Sequence, residues 1–552
     1  MRLPVSVQTT DRRLIPLARV LSGELERGFG MPSRVSPRIS GSGVICLRLV
    51  SGMARDSYSI RTTDRVVVSA GTYDDVAEGT VTVLQALMRV GHGLLAPRMQ
   101  VTDFPGTRYR GLMLDVARKY HTIDCIKQCV ELCRFYKVRF LRLHLSDDHL
   151  FMFPSAAFPQ LGRSNAEFVR FDPPSRDGPI PPYTAQQLEG LERYSRDRGV
   201  AIVPEIDVPG HAGRMVSDAP DIFGVPGGGS STVDIASRKT EAAVITLMNE
   251  EMAIFRSSPY ISVGGDEAWL GGLEKAPGFA SAIRRAHVRS PEGLYRKFIV
   301  DLNLAANAHK KQMLVYEEAW RPGLSYALPL DAICVEWTLD SNPENMLRSG
   351  AQVVNGSWTP LYIVRENKRS ARFIYHWSVN QFGYQPPYFQ GKWITAQTGP
   401  RLLGAEMLSW ENPDCAEIQA LRTRLAAMAE RLWASNQPAR TYHAFRSRLA
   451  HTDRLLERLI HNVTIRGSGT FRGDENRFQG RLVIRMTNRI PGSVTRYNLN
   501  NRLPTAASKV YTQPLTITHS VWVRAAAFTS AGRRIGPVSG AWYHAVASGS
   551  PG

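Results

Sequence analysis

The apolar positions of this chain change their spacing twice along its length. Leu14, Leu17, Val20, Leu21 and Leu25 recur at helical intervals and predict a helix over residues 15–29, ahead of the strand-like VICLRLV at 44–50 and the shorter DSYSI and RVVVSAG runs. VTVLQALMRV at 81–90 predicts a second helix. Helix, strands and helix in this order describe a small α+β domain over residues 1–105.

From Gly111 onward short apolar runs alternate with longer amphipathic ones. GLMLDVA, VRFLRLHLS, VAIVPEID, YISVGG, QMLVYEE, AICVEW, QVVNGSW and GAEMLSW are eight candidate strands, and their alternation with helical segments predicts a (β/α)8 barrel, an α/β fold, over residues 106–460. Thr184 and Gln187 form a capping box at the start of TAQQLEGLERYSRDRG, with Gly199 as the stop. CAEIQALRTRLAAMAERLW closes the barrel, and TYHAFRSRLAHTDRLLERLI predicts a further helix. After a Gly- and Arg-rich break at 466–473, strand patterns return without helices (RLVIRM, KVYT, LTITHSVWVRAAAF, AWYHAV) and predict a C-terminal β-sandwich over 470–548.

Composition narrows the function. With 552 residues, 43% hydrophobic and 21% charged, the chain is that of a folded globular protein of several domains. Its net charge of +19 raises the question of a polyanion partner. The basic residues are scattered, with no run of five or six and no interleaved aromatics, so no nucleic acid is expected as a partner and the excess reads as solvated surface. No run of 18 apolar residues occurs, so no membrane insertion is expected. Pro16 and Arg19 interrupt any apolar leader core, which reads as cytoplasmic unless a leader for a periplasmic or secreted form is missing from this sequence. Cys125, Cys129 and Cys133 stack along one helix face, where disulfide geometry is rarely met, and are expected to be buried free thiols.

The catalytic groups of a barrel stand at the C-terminal ends of its strands. Here strand two ends in His144, Asp147 and Asp148, strand three in Glu205, Asp207 and His211, strand four in Asp266 and Glu267, and strand five in Glu317 and Glu318. Strands six to eight carry Trp337, Trp358, Tyr362, Trp410 and Glu411. Carboxylates converging on one mouth can hold a metal, act on a glycosidic bond or form a satisfied structural network. Paired histidines at ligand spacing are missing, so neither a metal nor another cofactor is expected. Each Trp alone is more often core than platform, but a ring of aromatics at strand ends favours sugar, whose C–H faces stack on them.

RGLMLDVARKYH at 110–121, LRLHLSDDH at 141–149, VPEIDVPGHAGR at 203–214 and SVGGDEAW at 262–269 resemble, in order, the signatures of family 20 glycoside hydrolases, the β-N-acetylhexosaminidases. The resemblance covers residues 1–445, and TRYNLNNRLPT with KVYTQPLTI is more loosely similar to the C-terminal sandwich of some bacterial members. It implies an exo-glycosidase acting on glycans with terminal β-linked N-acetylhexosamine. Glu267 is then the general acid, with a raised pKa, and Asp266 holds the acetamido N–H while the substrate's own carbonyl attacks C1. Asp147 and His211 tune the acid, and Tyr362 bonds the acetamido carbonyl. Arg110, Asp207, Trp337, Trp377, Trp410 and Glu411 are the substrate-binding set, Arg110 on O3 and O4. Three positions depart from the family pattern: Val364 replaces an Asp, Trp410-Glu411-Asn412 replaces Trp-x-Glu, and Tyr316 replaces a Trp. A glycan-binding barrel without turnover would need Glu267, Asp266 or Tyr362 to be lost, and a chitinase-like endo-acting barrel would carry spaced carboxylates along one strand.

Overall fold

The computed structural model describes residues 2–3, 6–91, 93–168, 178–227, 231–321, 326–364, 368–386, 390–435, 440–468 and 476–546. Among them, eight parallel strands follow one another in chain order: β1 (Tyr109–Asp115), β2 (Phe140–His144), β3 (Ala201–Glu205), β4 (Tyr260–Ser262), β5 (Gln312–Tyr316), β6 (Ile333–Glu336), β7 (Gln352–Asn355) and β8 (Leu402–Ser409). β1 also pairs with β8, which closes the barrel. Every residue of β1 and β8 is buried, one face against the barrel axis and the other against helices. That two-sided burial is why these strands read as nearly unbroken apolar runs.

The interior is layered. Tyr109, Phe140 and Tyr260, each the first residue of its strand, form an aromatic floor, with Tyr109 stacked on Phe140 at 4.8 Å and Tyr260 edge-on to Phe140 at 5.0 Å. Above it Arg142, fully buried, meets Glu205 and Glu406. Trp337, Tyr362 and Trp410 make the upper layer, at the mouth.

Ahead of the barrel, the strands Arg34–Ser36, Ser6–Gln8, Ile45–Leu49, Val66–Ala70, Tyr58–Thr62 and Gln100–Asp103 lie side by side in one sheet. The helix Ile15–Phe29 falls where its apolar spacing places it. The helix expected at 81–90 begins earlier, at Tyr73, and ends at Ala86. Thr72 caps it by accepting from the Asp75 amide at 3.2 Å, and Asp74 and Asp75 favour its first turn electrostatically. Met88–Val90 leaves it as a strand paired with Gly93–Leu95.

Two buried ion pairs lock this domain to the barrel. Glu24 accepts both Nε (2.6 Å) and Nη2 (2.8 Å) of Arg134, on the helix α1 (Ile123–Phe135) that follows β1. Glu78 takes Arg110 at the foot of β1. The cysteines Cys125, Cys129 and Cys133 of α1 are free and buried, as expected. The capping box predicted from Thr184 and Gln187 opens α2 (Ala185–Arg196).

Behind the barrel, α4 (Asp414–Trp433) and α5 (Tyr442–Ile460) follow the predicted spans, α3 (Ala371–His376) being a short helix between β7 and β8. The sandwich begins before the expected break, with the strand Val463–Ser468, while 469–473 lie outside the described residues. A three-stranded and a five-stranded sheet enclose one core that includes Val463, Ile484, Val523 and Tyr543. Arg524 reaches from it to Asp414 at 2.9 Å, and the other oxygen of Asp414 accepts the Thr122 amide (2.7 Å) and hydroxyl (2.8 Å) at the start of α1. No helix among the described residues is long and apolar enough to cross a membrane.

Removing one partner of a buried pair leaves the other charge unsolvated, at a cost of about 3–5 kcal/mol. Glu78→Ala is therefore expected to lower the urea midpoint markedly, and Glu78→Leu combined with Arg110→Met to recover most of the loss. Equal midpoints for Glu78→Ala and the wild-type chain would show that this pair does not hold the two domains together.

Candidate active site

A line of charged side chains runs from the barrel axis to its mouth, alternating in sign as far as Arg118. Glu406, which accepts the Tyr109 hydroxyl at 2.9 Å, pairs with Arg142, and Arg142 pairs with Glu205. Glu205 and Asp147 grip His144 from its two ring nitrogens, at 2.7 Å to Nδ1 and 2.9 Å to Nε2. Arg118 follows, 2.8 Å from Asp147, then His211, 3.4 Å from Arg118, and finally Glu267, 3.2 Å from His211. Burial alone would lower the His144 pKa, but the hydrogen bonds to Asp147 and Glu205 outweigh it and push it up to about 10, so the ring is a cation. Burial works to raise the Asp147 pKa, yet Arg118 and then His144 hold it well below the usual carboxylate range.

The turn after β4 delivers Asp266 and Glu267. Gly264 and Gly265 both have positive φ, and a Cβ on Gly264 would overlap the Asp207 carboxylate. That carboxylate accepts the Gly265 amide at 3.0 Å, and the Tyr295 hydroxyl donates to the Gly265 carbonyl at 2.6 Å. The two acids then diverge. Asp266 is 5% exposed, whereas the Glu267 side chain is 59% exposed. Burial raises the Asp266 pKa, and the nearby Glu267 charge adds to the effect. Glu267 differs from expectation: its hydrogen bond with His211 lowers its pKa against partial desolvation, because the carboxylate faces a cation and solvent.

An aromatic slot stands opposite. Tyr362–Ile363 pairs with Leu408–Ser409 at the upper end of β8, which brings Tyr362 into the mouth. Tyr362 stacks on Trp358 at 4.7 Å and on Trp337 at 5.7 Å, and Trp410 lies 6.1 Å away. Trp410 meets His144 edge-on, with the Arg118 guanidinium 4.7 Å over its ring. The Trp337 indole N–H donates to Glu318 at 3.3 Å, and burial with the Asp266 charge pushes the Glu318 pKa up to about 8.

The structure thus gathers Asp147, His211, Asp266, Glu267, Tyr362, Trp337 and Trp410 at one mouth. Three expected substrate contacts fall elsewhere. Arg110 is at the opposite end of the barrel, spent on Glu78 and on the carbonyls of Lys137 (2.9 Å) and Thr107 (2.8 Å). Asp207 is fully buried beneath the turn it shapes. Trp377 belongs to the outer core, its indole N–H on the Gln381 carbonyl at 2.7 Å, and it stacks on no ring of the slot. Glu411 stays at the mouth, half-buried beside the Arg118 charge. Asn412 is buried, donating to Ile363 O (2.6 Å) and Ser409 Oγ (2.9 Å), and so ties the strand of Tyr362 to β8. The group missed is Arg118. It stands just past the C-terminal end of β1, where barrel geometry alone would have sought it.

Three sets of ligand-type atoms, His144–Glu205–Asp207, Asp147–Asp148–His211 and Asp207–His211–Asp266, lie within 4.8 Å of one another. In the first, both His144 nitrogens are already bonded, so the ring has no free lone pair. His144, Glu205, Asp147 and His211 of these sets belong to the charge line, and Asp148, Asp207 and Asp266 stand beside it.

The family model for the catalytic domain of glycosyl hydrolase family 20 matches residues 108–436, more than half of the chain. The chain belongs to glycosyl hydrolase family 20. Residues 474–538 match the model for the chitobiase/beta-hexosaminidase C-terminal domain. Among curated relatives of this family 20 protein, the beta-hexosaminidase subunit alpha of Mus musculus is 24% identical over 406 residues, covering 70% of this chain and 72% of its own. The beta-N-acetylhexosaminidase of Cellulomonas fimi is 25% identical over 468 residues, covering 79% and 86%. The fold is shared with the Vibrio harveyi exo beta-N-acetylglucosaminidase, solved in complex with N-acetylglucosamine (TM-score 0.69, 21% identity, 82% of this chain and 74% of that one). It is shared also with the Bacteroides fragilis beta-N-acetylhexosaminidase (TM-score 0.68, 20% identity, 82% and 91%).

The charge line gives the family 20 barrel a pH-dependent stability. His144 titrates near 10 when folded and near ~6.5 when unfolded. Its contribution is therefore full below pH ~6.5 and is lost as pH rises through 10. The gap in thermal midpoint between the wild-type chain and His144→Asn is expected to be widest near pH 6 and to shrink towards pH 10. A gap constant with pH would mean that His144 carries no charge in this line.

Proposed function

We propose that this β-N-acetylhexosaminidase removes terminal non-reducing β-linked N-acetylhexosamine from glycans with retention, the substrate's acetamido carbonyl serving as the nucleophile. The observation that carries this reading is Asp266 Oδ1, an acceptor buried at the mouth with no hydrogen-bond partner among the described residues. An unmet buried acceptor costs about 1–3 kcal/mol, recovered when a donor arrives. An acetamido N–H is such a donor, and Tyr362, close enough to feel the Asp266 charge, has a hydroxyl to offer the acetamido carbonyl.

Glu267 gives its proton to the glycosidic oxygen, the C1–O bond breaks, and the acetamido oxygen bonds to C1 to give an oxazolinium ion. Asp266 faces the positive N–H of that ring. Glu267, now ionised, takes a proton from water as the water oxygen attacks C1, which reopens the ring and restores the configuration. Trp337, Trp358, Tyr362 and Trp410 wall the sugar, and Arg118, with Glu411 beside it, meets the hydroxyls in the place first given to Arg110. The Glu267 proton is supported by desolvation, because a bound sugar displaces the water that now favours the carboxylate.

Glu267→Gln is expected to cut kcat/KM on unactivated disaccharides by about 10²–10⁴-fold, with ligand affinity nearly unchanged. Asp266→Asn should impair acetamido substrates. A thiazoline mimic of the cyclised intermediate should inhibit competitively, and β-glucosides should barely react. Trapping a glycosyl adduct on a carboxylate of the enzyme would overturn the substrate-assisted reading.

The pH dependence is a separate check. In the free site Glu267 lies below its ordinary value, so kcat/KM should fall as pH rises from the acid side. Desolvation by bound sugar should move the basic limb of kcat to higher pH. Coincident limbs would show that substrate does not raise the acid.

A further inference from the structure

Outside the mouth, α3 and the hairpin of Gln381–Tyr384 with Lys392–Thr395 frame a trough of about 510 Å³. Trp377, displaced from the catalytic slot, lines its wall. Phe373 and Trp393 stand at its edge with their rings 6.4 Å apart and tilted by 34°. They are 40% and 45% exposed, among the few large apolar side chains that the fold leaves in water. Trp393 is held by its cross-strand partner Gly383: a Cβ at Gly383 would overlap the indole ring, so the ring lies directly on the glycine backbone. Two tilted aromatic faces side by side suit the C–H faces of a sugar.

Among the described residues, the fixed charges around the rings are of one sign. Arg372 lines the trough and has no ion pair among the described residues, and His376 follows one turn later on the same face of α3. The Arg369 guanidinium lies 5.4 Å over Phe373. Among the described residues, no carboxylate lines the trough. A planar guanidinium with free donors beside stacking rings matches a carboxylate or sulfate on a sugar ring better than uncharged hydroxyls.

The hairpin connects this trough to the mouth. Tyr384, next to Gly383, meets Trp358 edge-on at 6.1 Å, and Trp358 stacks on Tyr362. At a strand rise of ~3.3 Å per residue, the stretch from Tyr384 back to Gln381 spans only about 10 Å. We propose that the trough is a second carbohydrate-binding site, which takes an anionic sugar, a uronate or sulfated residue, of the same glycan whose terminal hexosamine enters the mouth. The proposal rests on the hexosaminidase reading for what occupies the mouth. The trough's own chemistry selects acidic glycans as the preferred long substrates.

Trp393→Ala and Arg372→Gln alter only exposed groups, and unchanged thermal midpoints will show that both variants are folded. On an aryl β-N-acetylglucosaminide, which fills the mouth alone, both should keep the wild-type kcat/KM. On oligosaccharides of alternating N-acetylhexosamine and glucuronate with a terminal hexosamine, KM should rise by about five- to tenfold with kcat unchanged, as expected for loss of one stacking or charge contact. For Arg372→Gln, uncharged chitooligosaccharides of equal length should show no such rise, and about 0.5 M salt should shrink the effect on the acidic series. Equal losses on charged and uncharged chains for Arg372→Gln, or no loss on the acidic series for either variant, would overturn the proposal. A second measurement separates it from the catalytic reading: calorimetric titration of Glu267→Gln with a glucuronate-containing oligosaccharide whose non-reducing end is a uronate, which the mouth cannot accept as an N-acetylhexosamine. Binding that weakens with Trp393→Ala supports the trough even if hydrolysis fails, and absence of binding overturns it even if hydrolysis is confirmed.

Discussion

Arg142 is buried at the centre of the barrel, and a cation in that position persists only if anions surround it. Glu205 on β3 and Glu406 on β8 do so, which fixes the register of three strands through one guanidinium. Each of these anions in turn needs partners, and the demand passes upward through His144, Asp147 and Arg118 to His211 and Glu267. The interior is therefore ordered from the middle outward. Glu267, at the mouth, is the last member of a series whose first members are wholly structural, and its pKa is set in the first place by its neighbour His211.

Much of this was legible in the sequence, and the reasons differ by layer. The eight strands could be read because two-sided burial writes itself as short apolar runs. The helix from Tyr73 was only half legible: its first turn is polar, and the signal there is a Thr72 cap with Asp74 and Asp75 rather than apolar spacing. The charge line was not legible as a line, since Arg142 and Glu406 are 264 residues apart and neither residue type announces its partner. Arg110 and Arg118 show the same limit in one motif. Seven residues of strand carry the first to the floor and the second past the rim, so the choice between them needed the direction of β1 rather than the composition of RGLMLDVARKYH.

The departures from the family pattern have structural uses here. Tyr316 places its hydroxyl on Arg142 at 3.0 Å, a contact that an indole ring would not reproduce. Asn412 spends its amide on the backbone that carries Tyr362, so it secures the tyrosine rather than a sugar hydroxyl. Val364 packs against the aromatic slot. Glu411 is left as the carboxylate on that side of the mouth, facing Arg118.

Asp414 divides its two oxygens between Arg524 of the sandwich and Thr122 of the barrel. Thr122 lies only four residues beyond Arg118, and between them His121 is anchored to Glu417 at 3.1 Å. A shortened chain ending before the sandwich would keep every residue of the mouth yet lose the cation that steadies Asp414, at the base of the very loop that carries Arg118. The terminal module thus acts as a buttress, and the border between the two domains is a place where deletions far from the sugar would be felt by the sugar.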